Sequence, residues 1–199
     1  MFRSLFVLLL LLASGRPAFT DEPATKPRKR PDVGYHPTPQ DVVEKMLDLA
    51  KVTKSDHVCD LGCGDGRFVV TAAKKYGCRA TGYEIDPKLV AQGRARIQDE
   101  KLEELARIVD QDIFTVDTAN VTVMMLFLLE DLNEKLVPRL QTMARGSRIV
   151  THEFHIPGIK ADQELTWVSK IDNSEHLLFV YTVPLKTVPQ RSVPLKSEQ

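Results

Sequence analysis

The sequence predicts an α/β fold: a doubly wound, mostly parallel sheet with helices on both faces and an antiparallel hairpin at its C-terminal end. Three observations carry this. Short β-rich segments alternate with amphipathic helical ones, and that alternation needs right-handed crossovers between parallel strands. The stretch DLGCGDGR, Asp60 to Arg67, ends the first strand in three glycines at alternate positions and runs into a helix. Two late β-rich runs, LTWVSKID and HLLFVYTVPL, are separated only by NSE, the spacing of a hairpin.

The elements follow in order. Residues 1–20 join a basic start (Arg3), an apolar run from Leu5 to Ala13 and small residues up to Thr20. This is the grammar of a signal peptide or N-terminal anchor, too short to span a bilayer comfortably, so no spanning segment is expected in the mature chain. It predicts an exported or membrane-tethered protein, or a cytoplasmic one if the leader is a start-site artefact. Residues 21–34 are Pro-rich and charged, with Lys26, Arg28, Lys29 and Arg30 clustered; they read as a flexible basic linker. One domain is expected over 35–185, and a loose polar tail over 186–199.

Within the domain, TPQDVVEKMLDLA reads as a helix with Thr38 as N-cap, Pro39 in its first position and Asp41 at a capping-box spacing. HVCDLG is a short buried strand, and RFVVTAAKKYG a helix closing at Gly77. RATGYEI is the second strand. DPKLVAQGRARIQDEKLEELA is a helix capped by Asp86 with Pro87 next. RIVDQD is the third strand, and VTVMMLFL a fourth, apolar throughout and so buried on both faces. LEDLNEKLVPRLQTM is a helix disturbed at Pro138, and SRIVTHEF the fifth strand.

Composition bounds the function. The chain has 199 residues, 43% hydrophobic and 27% charged, which suits one globular domain. Lys plus Arg equals Asp plus Glu at 27 each, so no overall field favours nucleic acid or a membrane surface. Cys59, Cys63 and Cys78 are odd in number and match no zinc spacing. Free thiols suit a reducing space, whereas the leader suits the opposite.

In a doubly wound sheet, ligands sit beyond the carboxyl ends of the strands at the switch point beside the first strand, where Gly62, Gly64 and Gly66 fall. Glycine accepts positive φ and lets other groups approach the backbone, and the helix N-terminus that follows favours an anionic group. A dinucleotide site wants G-x-G-x-x-G; here Arg67 occupies the third position, which argues against NAD.

DLGCGDG resembles the first motif, D-x-G-x-G-x-G, of class I S-adenosylmethionine (SAM)-dependent methyltransferases. The resemblance implies a seven-stranded sheet with six parallel strands and one antiparallel, and SAM as cofactor. It implies that the loop, with Cys63, packs on the methionine part and that Asp60 lies near its amino group. Glu84, ending the second strand in GYEID, matches the acid that binds the ribose hydroxyls, with Ile85 beside it. Asp112, in DQDIF, matches the acid facing the adenine amino group, with Ile113 against the ring; Asp110 is the alternative if the strand ends earlier.

YHPTPQDVVEKML, DLGCGDGRFVVTAA, GYEIDPKLVAQ and GSRIVTHEF together resemble the lysine methyltransferases of the ATP synthase ring-subunit type and, loosely, the non-SET histone-lysine enzymes. This implies a methyl-acceptor partner that includes protein lysine, and puts Tyr35 and Thr38 over the cofactor. LFLLED stands where DNA and glutamine methyltransferases carry N-P-P-Y, which argues against nucleobase acceptors; no nucleic-acid partner is expected. Tyr35, Phe127 and Phe154 are candidate walls of an acceptor pocket, with His152 at its rim. No catalytic acid or base is assigned. His152 and His155 in HEFH would point to opposite faces of a strand, so no metal site is assigned. Methylation of a small molecule, or cofactor binding without catalysis, are the alternatives.

Overall fold

The computed structural model describes residues 34–188; the leader, almost all of the linker and most of the tail read from the sequence lie outside the described residues. The element order is α1 (Gln40–Leu49), β1 (His57–Leu61), α2 (Arg67–Tyr76), β2 (Arg79–Glu84), α3 (Pro87–Asp99), β3 (Ala106–Asp110), β4 (Val123–Leu126), α4 (Glu130–Leu140), β5 (Arg148–His152), β6 (Gln163–Val168) and β7 (Glu175–Thr182), with a 3₁₀ turn at Ile113–Thr115. The sheet has the order β3-β2-β1-β4-β5-β7-β6. Strands β1 to β5 pair in parallel. Strand β7 runs antiparallel to both β5 and β6, so β6 points with the first five and β7 alone opposes them. The fold is the one expected, with the second arm of the hairpin inserted between β5 and the first.

Each face of the sheet carries its own core. Val42, Val43, Met46 and Leu47 of α1 pack with Val69, Ala72 and Ala73 of α2 and Val90 and Ile97 of α3 on one side. Leu132, Leu136 and Leu140 of α4 pack with Leu61, Ile149 and Tyr181 on the other. Strand β4 divides between them, Val123 and Met125 to one layer and Met124 and Leu126 to the other. All four are buried, as its unbroken apolar run predicts.

The local signals mostly act as read. Asp86 accepts a hydrogen bond from Lys88 N at 2.8 Å with Pro87 in the first turn, and Gly77 closes α2 at φ 63°. Helix α4 runs through Pro138 and ends at Leu140. Three expectations are corrected. Thr38 does not cap α1: the cap position is Pro39 with no side-chain bond, because the Thr38 hydroxyl is drawn 3.3 Å from His152 Nδ1 instead. Asp41, expected in a capping box, accepts from Ser169 Oγ at 2.9 Å and Lys170 N at 2.7 Å, tying α1 to the β6–β7 turn. Helix α3 stops at Asp99, short of the expected Ala106, as Lys101 takes a left-handed φ of 57°. The polar tail also starts held: Thr187 bridges Ile159.

The amino ends of the strands are stapled. Arg148 forks onto both Asp56 oxygens at 2.9 Å each and donates from Nε to Ala50 O. Thr122 Oγ1 donates to Asp56 at 2.7 Å. Burial alone would raise the Asp56 carboxyl; the Arg148 and Thr122 hydrogen bonds outweigh it and hold the group well below the carboxylate range. This leaves the opposite ends, where the chain reverses from glycines and short turns, free to form a cavity.

Candidate functional site

At the carboxyl end of β1 the chain passes Gly62, Gly64 and Gly66 at φ 77°, 53° and 77°, left-handed values that cost L-side chains energy. The turn is bound to β2: Gly62 N and Cys63 N donate to Tyr83 O at 2.9 and 3.0 Å. Glu84 completes the tie. Its Oε2 accepts from Gly64 N at 2.9 Å, and its Oε1 from Ile85 N and Asp86 N at 2.7 and 2.9 Å. The carboxylate is therefore fixed in direction by three backbone donors from two adjacent strand ends.

Above the turn lies the segment before α1. A Cβ on Gly64 would stand 2.3 Å from Cε2 of Tyr35, so the missing side chain makes room for that ring. Arg67 holds the segment down: it donates to Thr38 O and, at 3.2 Å, to the Tyr35 hydroxyl, while its Nε and Nη2 bond Asp65 at 2.9 and 2.8 Å. Burial would raise the Asp65 carboxyl, but Arg67 outweighs it and keeps it below the usual range.

These elements enclose a cavity of about 680 Å³. Asp60, Gly62 and Cys63 line it from β1, Glu84 and Ile85 from β2, and Asp112 and Ile113 from the turn after β3. Tyr35 and Thr38 line it from above, and Phe127 and Phe154 from the ends of β4 and β5. Four residues singled out from the sequence stand apart from the lining. Gly64 lies beneath Tyr35, and a Cβ on Gly66 would meet Ile108 Cδ1 at 3.2 Å and Gly93 Cα at 3.3 Å, so its role is helix packing. His152, expected at the rim, is 1% exposed and sits behind Phe127, ring centroids 4.2 Å apart. Asp110, the alternative to Asp112, ends β3 without lining the cavity. Asp112 caps the 3₁₀ turn, accepting from Phe114 N at 3.0 Å.

Sequence reading missed Arg67 as the strap across Tyr35, and Leu128, Leu129, Leu132 and Glu153 as further walls. The apolar LFLLED offered a signal for the leucines. His155 turns away to Glu130, 2.9 Å from its carboxylate; the partner of His152 is His176, at 2.9 Å. That pairing depends on how β7 lies beside β5.

Asp60 is 4% exposed. Burial first, then the charges of Glu84 and Asp65, push its carboxyl up to about 8, against a weaker pull from Arg67. Burial likewise pushes the Cys63 thiol well up; all three cysteines are buried and free of disulfides. A buried carboxylate crowded by two others is built to meet a cation.

The sequence matches the family model of the ANTKMT methyltransferase domain over residues 60–163. The chain belongs to this methyltransferase family. A protein-lysine N-methyltransferase of Saccharolobus islandicus is 40% identical over 157 residues, 77% of this chain and 95% of that one. The ATP synthase c-subunit lysine N-methyltransferase of Xenopus laevis is 30% identical over 124 residues, 62% of this chain and 54% of that one. Among solved structures, an RNA methyltransferase of Salinibacter ruber in complex with S-adenosylhomocysteine is similar at 34% identity and a TM-score of 0.70, covering 78% of this chain and 97% of that one.

SAM is the cofactor of such enzymes, and the cavity of this methyltransferase is lined by the buried Asp60 carboxyl and, one strand over, by the Glu84 carboxylate held by backbone N–H groups. The cavity itself is apolar at the β4 and β5 ends. No helix among the described residues is long and apolar enough to cross a membrane.

Proposed function

We propose that this methyltransferase transfers a methyl group from SAM to the side-chain amine of a lysine in a protein. The observation that carries the donor half is Asp60, a buried carboxylate with two carboxylate neighbours and a cavity in front of it. The acceptor half is supported by the 40% identity to a protein-lysine enzyme across nearly all of that relative.

When bound, SAM supplies an electrophilic methyl group on a sulfonium whose departure leaves a neutral thioether. The chain supplies position and charge. Asp60 carries the negative charge that faces the cofactor's ammonium group. Glu84 would face the ribose: three backbone donors fix its carboxylate and leave it acceptor capacity for a ribose hydroxyl. Asp112 and Ile113 bound the adenine end, and Ile85 packs beside the nucleoside. Tyr35 and Thr38, held by Arg67, cover the bound group.

Phe127 and Phe154, with ring centroids 6.4 Å apart, wall the acceptor end. A free lysine holds its proton to a pKa of about 10.4, and apolar walls disfavour the charged form, as does a neighbouring sulfonium. The neutral amine is the nucleophile. The apolar stretch 126–129, from the last residue of β4 to the residue before α4, supports an alkyl amine as acceptor over a nucleobase or glutamine nitrogen.

The test is methylation of cell extract with methyl-labelled SAM. Label in protein bands that hydrolyses to methyl-lysine supports the reading. Label only in RNA or in small molecules overturns the acceptor while leaving methyl transfer intact. We further propose that residues 1–20 direct export or tether the protein; a mature N-terminus that still begins at Met1 in a soluble cytosolic fraction would refute this.

A further inference from the structure

Beyond methyl transfer, the cavity wall at the end of β5 holds a second constellation. His152 Nε2, His176 Nδ1 and Glu153 Oε1 form a triangle with sides of 2.9, 3.1 and 3.2 Å. His152 is 1% and His176 7% exposed. Glu153 takes φ 62°, an unfavourable backbone conformation for a side chain of its kind, and its N–H is anchored to Leu177 O at 2.8 Å. We infer that this trio is a divalent transition-metal site of the zinc type, with two imidazole nitrogens and one carboxylate oxygen as ligands.

The hydrogen-bonding pattern around the triangle points the same way. Nε2 of His176 faces both Asp172 oxygens at 3.2 and 3.3 Å. A carboxylate only accepts, so that nitrogen carries the proton, and a neutral ring then turns a lone pair inward at Nδ1. Carboxylate to imidazole to metal is the arrangement in which an outer acid orients a ligating histidine. On the other ring, Nδ1 of His152 lies 3.3 Å from the Thr38 hydroxyl. Nδ1 of His176 and Oε1 of Glu153, 3.1 Å apart, need a proton or a cation between them, and His152 Nε2 is the third atom turned toward that point.

The size fits as well. A cation about 1 Å out of the triangle's plane would lie roughly 2.0–2.1 Å from each atom, the span of zinc to nitrogen and oxygen. Three protein ligands leave a fourth position open, the pattern of catalytic rather than structural zinc. Glu153 also lines the cavity, beside Phe154, so the ion would sit at the acceptor end. The site joins the end of β5 to β7.

The test uses the full-length chain, stripped with a chelator and freed of any histidine tag, titrated with zinc by calorimetry and with cobalt(II) by visible absorption. The expected result is one equivalent bound and the d–d bands of a tetrahedral cobalt site. His176→Ala is expected to abolish the bands. Glu153→Gln, which keeps the side chain's shape, is expected to weaken uptake, and Asp172→Asn to weaken it roughly 10–100-fold. Circular dichroism of each variant separates loss of the site from loss of the fold. Folded wild-type protein that takes up neither metal overturns the inference and leaves the trio a hydrogen-bonded cluster that ties the end of β5 to β7. Uptake unchanged in folded His176→Ala and Glu153→Gln overturns it equally, since the metal then binds elsewhere.

Discussion

Asp60 and Glu84 share one end of the cavity yet differ in how their charge is met. Glu84 is surrounded by backbone N–H groups, while Asp60 has burial and two like charges against it. The folded pKa of Asp60 is raised, so the folded protein without cofactor holds its proton more tightly than the unfolded chain. That contribution to stability is present below the ordinary carboxylate range and is lost as pH rises toward about 8. A cationic ligand favours the ionised form, so affinity for S-adenosylhomocysteine should climb as pH rises within that window, by at most about tenfold per unit. Calorimetry from about pH 5.5 to 8, the upper part of that window, measures the slope; Asp60→Asn should flatten it. A slope unchanged in that variant would remove the assignment. At Glu84, replacement by Gln loses a charged acceptor worth about 1.5–3 kcal/mol and turns an amide NH2 toward backbone donors of the turn, so affinity should fall roughly 10–150-fold together with the urea midpoint, while circular dichroism shows that the variant still folds.

The glycine turn and the strap above it act as a pair of elements. Tyr35 rests on the space that Gly64 leaves, and Arg67 binds both Tyr35 and Thr38. Gly64→Ala forces a left-handed residue to carry a side chain, at about 1–2 kcal/mol, and drives its Cβ into the ring. Lower thermal stability and weaker S-adenosylhomocysteine binding should appear together. The staple at the other ends of the strands should behave differently. Arg148→Ala leaves Asp56 buried without its bidentate partner, at a cost of about 2 kcal/mol, and should leave cofactor affinity unchanged because it lies at the far end of the sheet. Urea unfolding and ligand titration on the two variants separate stability from binding.

For the molecule as a whole, the cavity gathers residues from the ends of β1, β2, β4 and β5 and from the turn after β3, so bound ligand holds one sheet from several strands at once. At a ligand concentration of a hundred times Kd, stability should rise by about 2.7 kcal/mol, a thermal shift of roughly 5–10 °C in a single transition. Two transitions, with only one of them moved by ligand, would show that the β6–β7 hairpin unfolds apart from the rest.

The signals in the chain that acted locally survived folding. Three left-handed positions need glycine wherever the turn is placed, Asp86 and Pro87 start a helix from within one turn, and an apolar run such as VMML is buried on both faces of any parallel sheet. Hence the fold class, the methyltransferase resemblance and about half of the cavity walls could be read from residues close together in sequence. The side-chain partners could not. Thr38 has the chemistry of a cap, but His152, 114 positions away, competes for its hydroxyl. Asp41 has the spacing of a capping box and serves the β6–β7 turn instead. His176 meets His152 only because β7 runs antiparallel beside β5, with His152 opposite Leu178. A one-residue slip in that register would turn the opposite face of β7 toward the core. Sequence by itself determined the backbone's turns and its apolar layers, since these depend on steric and hydrophobic preferences of neighbours. The tertiary structure alone decided which polar groups converge, because that depends on strand order and register between segments far apart in the chain.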